Sequence, residues 1–206
     1  MIDLYYWGTP NGLKISIALE EMGLDYQIIP INILANDQFQ PDFLAISPNN
    51  KIPAIVDQDG PQHEAISIFE SGAILQYLGR KTGKFYPMDE ASRIQVEQWL
   101  MWQMGGFGPM LGQNHHFSRF APERIAYATN RYVEETKRLY AVLNQQLLGQ
   151  DYVAGEYSIA DMAIFPWILR HEWQSVNLND YPEVEKYVAR IKARPAVERA
   201  LAIEVS

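Results

Sequence analysis

Glu70-Ser71 stands where helical apolar spacing begins, at Ile74, Leu75 and Leu78, so the pair opens a helix. The first N–H groups of a helix lack partners within it, and the positive end of its dipole adds to them. That place suits a carboxylate, with the Ser71 hydroxyl as one more donor. A plain capping role for Ser71 is the alternative. Thr9 and Asn11 lie at the start of an earlier helix. Neither is a base, yet each can donate a hydrogen bond to an anion such as a thiolate, and Asn11 as a simple N-cap is the other reading. The chain contains no cysteine, which removes disulfides, iron–sulfur ligation, CxxC redox motifs and any cysteine nucleophile. Thiol chemistry here needs a sulfur supplied by another molecule. His115-His116 invites a metal, but adjacent helical residues face different sides and no further ligand follows at metal spacing, so a pocket-lining or surface role is expected. Ser158 to Asp161 reads as a capping box with Tyr157 and Met162 as its hydrophobic staple, which makes Asp161 part of the folding machinery.

The elements that must hold these residues follow from periodicity. Ile2, Leu4 and Tyr6 alternate with Asp3, Tyr5 and Trp7, predicting a strand in which Tyr5 and Tyr6 pack. Gly8 to Gly12 breaks it, and Ile15, Ala18, Leu19 and Met22 predict a helix stopping at Gly23. Tyr26 to Ile31 is a second strand, giving a β-α-β opening with a parallel pair. A short helix is expected around Asp42 to Ile46, a strand at Ala54 to Asp57, a turn at Asp59-Gly60-Pro61, and a partner strand at Gln62 to Ile66. The helix from Glu70-Ser71 ends before Gly83. Beyond it only helical patterns occur, over roughly 90–113, 122–148, 158–173 and 182–194, with a last turn or two after Pro195. Gly105, Gly106 and Gly108 with Pro109 are expected to interrupt the first of these and admit a close backbone neighbour. The organisation is an α/β domain over 1–82, a linker over 83–89 and an all-α domain over 90–206.

The 206 residues carry 17 basic and 25 acidic side chains, a net charge of −8, with 48% hydrophobic and 20% charged residues. This is globular composition. The acidity argues against nucleic acid or an anionic membrane as partner. No run approaches the ~18 apolar residues that span a bilayer, and the start shows no basic region or cleavage site, so the cytoplasm is the expected compartment.

Three motifs, in order, resemble the cytosolic glutathione transferase superfamily. Ser47-Pro48-Asn49-Asn50-Lys51-Ile52-Pro53-Ala54-Ile55 is similar to its segment with a cis proline before the third strand. Phe69-Glu70-Ser71-Gly72-Ala73-Ile74 is similar to its E-S-x-A-I motif, and Ser158-Ile159-Ala160-Asp161 to its S-x-A-D signature. Thr9-Pro10-Asn11-Gly12 and the run Gly106 to Phe117 resemble the bacterial nu-class proteins, glutathione-dependent disulfide-bond oxidoreductases. The resemblance spans nearly the whole chain. It implies a thioredoxin-like domain followed by a helical one, in a homodimer. Glutathione is implied as co-substrate, with one or two molecules or oxidised glutathione per site and no metal.

On that resemblance Thr9 and Asn11 hold the thiolate. The Glu70 carboxylate and the Ser71 hydroxyl receive the γ-glutamyl end, and the Ile52-Pro53 backbone pairs with the cysteinyl unit. Lys51 and Gln38 are candidates for the glycyl carboxylate, against exposed side chains without a role. Arg131 reaches a glutathione held by the partner subunit, against a surface salt bridge. The expected activity is reduction of a small disulfide by two glutathiones, with organic hydroperoxides as further substrates. Conjugation of glutathione to an electrophile is the enzymatic alternative. A non-catalytic binding protein of the same fold ranks third, because the Glu70-Ser71 and Ile52-Pro53 elements are both intact.

Overall fold

The computed structural model describes residues 1–205. By contact the chain divides into two compact units: Met1–Tyr86 together with the segment from Arg194 onward, and Pro87–Ala193.

The first unit contains β1 (Ile2–Tyr6), α1 (Pro10–Met22), β2 (Tyr26–Pro30), α2 (Pro41–Ile46), β3 (Ala54–Asp57), β4 (Ile66–Phe69) and α3 (Ser71–Thr82). The strand order is β2-β1-β3-β4, with β1 parallel to β2 and β3 antiparallel to both β1 and β4. This is the expected thioredoxin-like α/β arrangement. Ile2, Leu4 and Tyr6 are buried on one face of β1, as its alternation requires. α1 buries Ile15, Ala18, Leu19 and Met22 and ends at Gly23, whose φ of 70° is the left-handed cap that glycine adopts without a Cβ penalty.

Two expectations change in this unit. The return strand begins at Ile66 rather than Gln62. Gln62 and His63 both have φ of 63°, and Pro61–His63 forms a single 3-10 turn closed by the Gly60 N–H donating to the Glu64 carbonyl, 2.9 Å. That wider turn uses up the residues predicted as strand. The last helix, Pro195–Leu201, groups with this unit rather than with 90–206, because it packs on α1. Arg194 grips Glu21 through two hydrogen bonds of 2.5 and 2.9 Å, and Arg199 meets Glu20 at 2.6 Å.

The second unit is all helical: α4 (Glu90–Trp102), α5 (Gly108–His115), α6 (Ala126–Gln146), α7 (Ile159–Ile168) and α8 (Pro182–Lys192), with Pro195–Leu201 being α9. The glycines after α4 widen the helix instead of breaking it. Gln103–Phe107 forms a π-helical turn leading into α5, and His116–Phe120 forms a second one after it. Gly105 and Gly106 face open space. Of these three only Gly108 is crowded: a Cβ there would lie 2.5 Å from Gln103 Nε2, 3.3 Å from the Gln103 carbonyl oxygen and 3.3 Å from Trp167 Nε1.

Every residue of α7 is buried. The capping box forms as read, and Asp161 serves as its anchor. Its carboxylate accepts from the Val153 and Ser158 N–H groups at 3.0 and 2.9 Å, and from the Ser158 and Tyr187 hydroxyls at 3.1 Å each. Burial pushes its pKa up to about 6 despite these donors. No helix among the described residues is long and apolar enough to cross a membrane.

Candidate functional site

The ladder brings three chain segments to one end of the sheet. Ala54 stands opposite both Tyr5 of β1 and Phe69 of β4. The chain leaves β1 there toward Thr9, enters β3 there through Pro53, and leaves β4 there into Glu70. Residues far apart in sequence are thus placed together by strand register alone.

At the first of these exits Thr9 caps α1, its Oγ1 accepting from the Gly12 N–H at 3.2 Å. The capping role weighed for Asn11 therefore belongs to Thr9, and Asn11 sits half-buried in the first turn. The Thr9 oxygen is used by the cap, which leaves its O–H hydrogen to donate. Gly12 is required: a Cβ would lie 2.3 Å from the Trp7 carbonyl oxygen. Tyr6 is buried among the core residues of β1, and Tyr5 packs on Phe43 with ring centroids 5.9 Å apart. Burial raises the pKa of both phenols, so both keep their protons at neutral pH.

At the third exit Glu70 has φ 71° and ψ 113°, a conformation rare for a residue with a side chain and costing on the order of 1–3 kcal/mol. It turns the chain abruptly from β4 into α3. Glu70 occupies the N-cap position without a side-chain cap bond, and Ser71 is the first helical residue. Ser71 is therefore not the cap that its alternative reading made it. Its hydroxyl instead receives a hydrogen bond from Lys14 Nζ at 3.4 Å.

Lys14 is a functional candidate that sequence reading missed. It is 2% exposed, and burial lowers its pKa to about 7, while the Glu70 carboxylate pulls it back upward. Its signal was available: Lys14 lies three and four residues before Ile17 and Ala18, on the buried side of α1.

Between these exits the Ile52–Pro53 bond is cis, as the resemblance implied. Ile52 packs with Ile31, Phe43 and Ala54, and with Tyr5 and Trp7, in a small cluster of its own. The Ser47 hydroxyl donates to the Lys51 carbonyl at 2.9 Å and steadies the approach to this bond. The Lys51 amine is exposed and reaches Asn50 Oδ1 at 3.3 Å. Gln38 lies in the 3-10 turn Asp37–Phe39, and its side-chain oxygen is buried without a hydrogen-bond partner. A glutamine amide can turn either end outward, so this orphaned group can offer a donor to a carboxylate or an acceptor to an N–H.

This end of the first unit offers two helix starts and one carboxylate. The start of α1 with Thr9 and Asn11 suits a thiolate, and the start of α3 with Ser71 and Lys14 suits a carboxylate. The Glu70 carboxylate suits an ammonium group. Those are the functional groups of a γ-glutamyl-cysteinyl peptide, and no protein thiol competes with its sulfur.

The helical unit holds the remaining candidates. Arg131 on α6 is exposed and lines a groove of about 650 Å³ with Met110, Tyr127, Asn130 and Glu135. It makes no ion pair among the described residues, where the neighbouring Arg138 pairs with Glu135 at 2.7 Å. His115 is 9% exposed, stacked on Trp167 and bonded to Gln174 Nε2 at 3.2 Å. Burial, with Arg170 and Arg119 nearby, lowers its pKa to about 4, so it is neutral core rather than the pocket or surface residue expected. His116 turns away and meets the Phe117 ring edge-on.

The chain is similar to known proteins over nearly its whole length. Residues 2–80 match the glutathione S-transferase N-terminal domain and residues 108–195 the C-terminal domain. The chain is 53% identical over 205 residues to the disulfide-bond oxidoreductase YfcG of Escherichia coli strain K12, spanning 98% of this chain and 94% of that protein. A glutathione transferase family member from Pseudomonas fluorescens Pf-5, solved with two glutathione bound, matches at TM-score 0.94 and 46% identity, over 98% of this chain and 93% of that one. A glutathione transferase from Pseudomonas putida, solved with one glutathione disulfide per subunit, matches at TM-score 0.95 and 45% identity, over 99% and 92% of the two chains.

Proposed function

The chain belongs to the glutathione S-transferase family, and from that membership we propose that it is a glutathione-dependent disulfide reductase. The observation that carries the reading is a helix start with Thr9 and Asn11, whose donors and dipole suit a thiolate, in a chain without cysteine. The reducing sulfur must then be glutathione's own. One glutathione thiolate attacks the substrate disulfide, forming a mixed disulfide and releasing one substrate thiolate. A second glutathione thiolate attacks the mixed disulfide, giving oxidised glutathione and the second substrate thiolate. Two electrons pass from two glutathiones to one disulfide. The same thiolate can attack the O–O bond of an organic hydroperoxide. The relatives solved with two glutathione or with glutathione disulfide support room for both sulfurs.

In this reading the γ-glutamyl carboxylate docks on Ser71 at the start of α3, and the γ-glutamyl ammonium on Glu70. The cysteinyl backbone lies along Ile52-Pro53, and the glycyl carboxylate meets Lys51 and Gln38. Arg131 acts on the glutathione of the partner in a homodimer. Thr9 and Asn11 donate to the sulfur. Lowering a thiol pKa by two units takes about 2.7 kcal/mol, within reach of two charge-assisted hydrogen bonds and a helix terminus.

The test is Asn11→Ala assayed across pH. Turnover is expected to fall near neutral pH and to recover in part under alkaline conditions, where the thiol ionises unaided. Glutathione affinity is expected to change less than turnover, because the carboxylates are anchored elsewhere. Turnover unaffected at every pH would remove Asn11 from the sulfur site and leave Thr9. Conjugation to a chloronitrobenzene, measured in parallel, is the competing reading, and it needs only one glutathione.

A further inference from the structure

A lysine amine sealed from water inside α1 is costly unless an anion rewards its charge. The geometry points to Lys14 as a proton-linked positioning residue: the γ-glutamyl carboxylate of glutathione, docking on Ser71, draws a proton onto the Lys14 amine beneath it. The inference rests on the reading of Ser71 as the carboxylate site.

Lys14 reaches Ser71 Oγ at 3.4 Å, so a carboxylate accepting from that hydroxyl stands one atom beyond the amine. In this interior an added negative charge at such range favours the ammonium form strongly. The charges on the elements packed against α1 leave this role open. On α3, Lys81 is held by Asp57 at 2.8 Å, and Arg80 lies in the last turn. On α9, Arg199 is engaged with Glu20, and just before that helix Arg194 is engaged with Glu21, all toward the C-terminal end of α1. On β1, Asp3 is bonded to Gln27 and Gln58. Tyr6, also on β1, keeps its proton. The Glu70 carboxylate pulls the Lys14 amine toward its charged form, and the pKa stays near 7. A docked carboxylate supplies a second such pull. The free protein is then part-ionised at physiological pH and the complex fully so.

Two consequences follow from linkage. Binding takes up protons, and affinity falls as pH rises through the window where the free lysine has lost its charge but the bound one has not. S-methylglutathione is the probe, because its blocked sulfur removes the thiol's own proton from the balance. Calorimetry of the full chain at pH 7.5, in phosphate and in Tris, reads proton uptake from the difference in apparent enthalpy. With a free pKa of about 7 the expected uptake is about three-quarters of a proton. Affinity is expected to weaken about tenfold from pH 6 to pH 8. Lys14→Met, or Lys14→Gln if the first variant does not fold, is expected to bind with no uptake and a flat pH profile. Binding by the wild type without proton uptake would overturn the inference and leave the glutathione site standing. Undiminished uptake in the variants would overturn it equally. Absence of any binding at pH 6 would overturn the glutathione reading itself.

Discussion

Removal of the Ser71 hydroxyl isolates one contact of the proposed carboxylate site. Ser71→Ala is expected to weaken glutathione binding by about 1–2 kcal/mol, the scale of a lost hydrogen bond to a charged group, and calorimetry giving wild-type affinity would contradict that role. Lys14 leaves a second mark, on stability. In the unfolded chain its amine holds a proton to about pH 10.4, whereas in the fold it releases it near 7. The unfolded state therefore binds more protons across that window, so stability rises with pH there and is lost as pH falls toward 7. The wild type is expected to gain about 2 kcal/mol more than Lys14→Met between pH 7 and 9 in urea unfolding. Equal slopes would mean that the amine is not desolvated in solution. At this scale the sequence was legible where a residue is tied to a helix start, as Thr9 and Ser71 are. Spacing places Lys14 on the buried side of α1, but that its neighbour across the helix pair is Ser71 on α3 was not legible.

The helix starts do more than shape the ligand site; one of them carries much of the helical unit. Asp161 satisfies two backbone N–H groups and two hydroxyls inside the fold. Asp161→Ala strands all four, and is expected to cost about 3 kcal/mol or more in thermal or urea unfolding while leaving the chemistry of any folded fraction intact. A loss below about 1 kcal/mol would show that water replaces the carboxylate. That capping box was readable because its residues sit three apart before an apolar run. The π-turns at Gln103–Phe107 and His116–Phe120 were not. Glycine and proline signal a break in a helix, while burial of Phe107, Leu111 and Asn114 keeps the backbone helical and merely widens it. β4 was misplaced for a related reason: left-handed residues at Gln62 and His63 lengthen the turn, and neither is a glycine that would announce it.

For the molecule as a whole, the order of motifs revealed a thioredoxin-like unit followed by a helical one, but not where the final helix belongs. A short amphipathic pattern after Pro195 states that a helix forms, while its docking on α1 depends on Arg194 and Arg199 finding Glu21 and Glu20. If Arg131 serves the partner's glutathione, full activity requires a dimer. Sedimentation at assay concentration is expected to show one, and an active monomer would remove that role from Arg131. Reduction of disulfides by a chain without a thiol, through two borrowed ones, can be measured directly. A small disulfide is incubated with glutathione, with and without the protein, and consumption of glutathione is followed alongside formation of oxidised glutathione. Acceleration well above the reaction of free glutathione is expected, with two glutathiones consumed and one oxidised glutathione formed per disulfide reduced. Disulfide reduction no faster than with free glutathione, under conditions where the protein conjugates an electrophile rapidly, would contradict it.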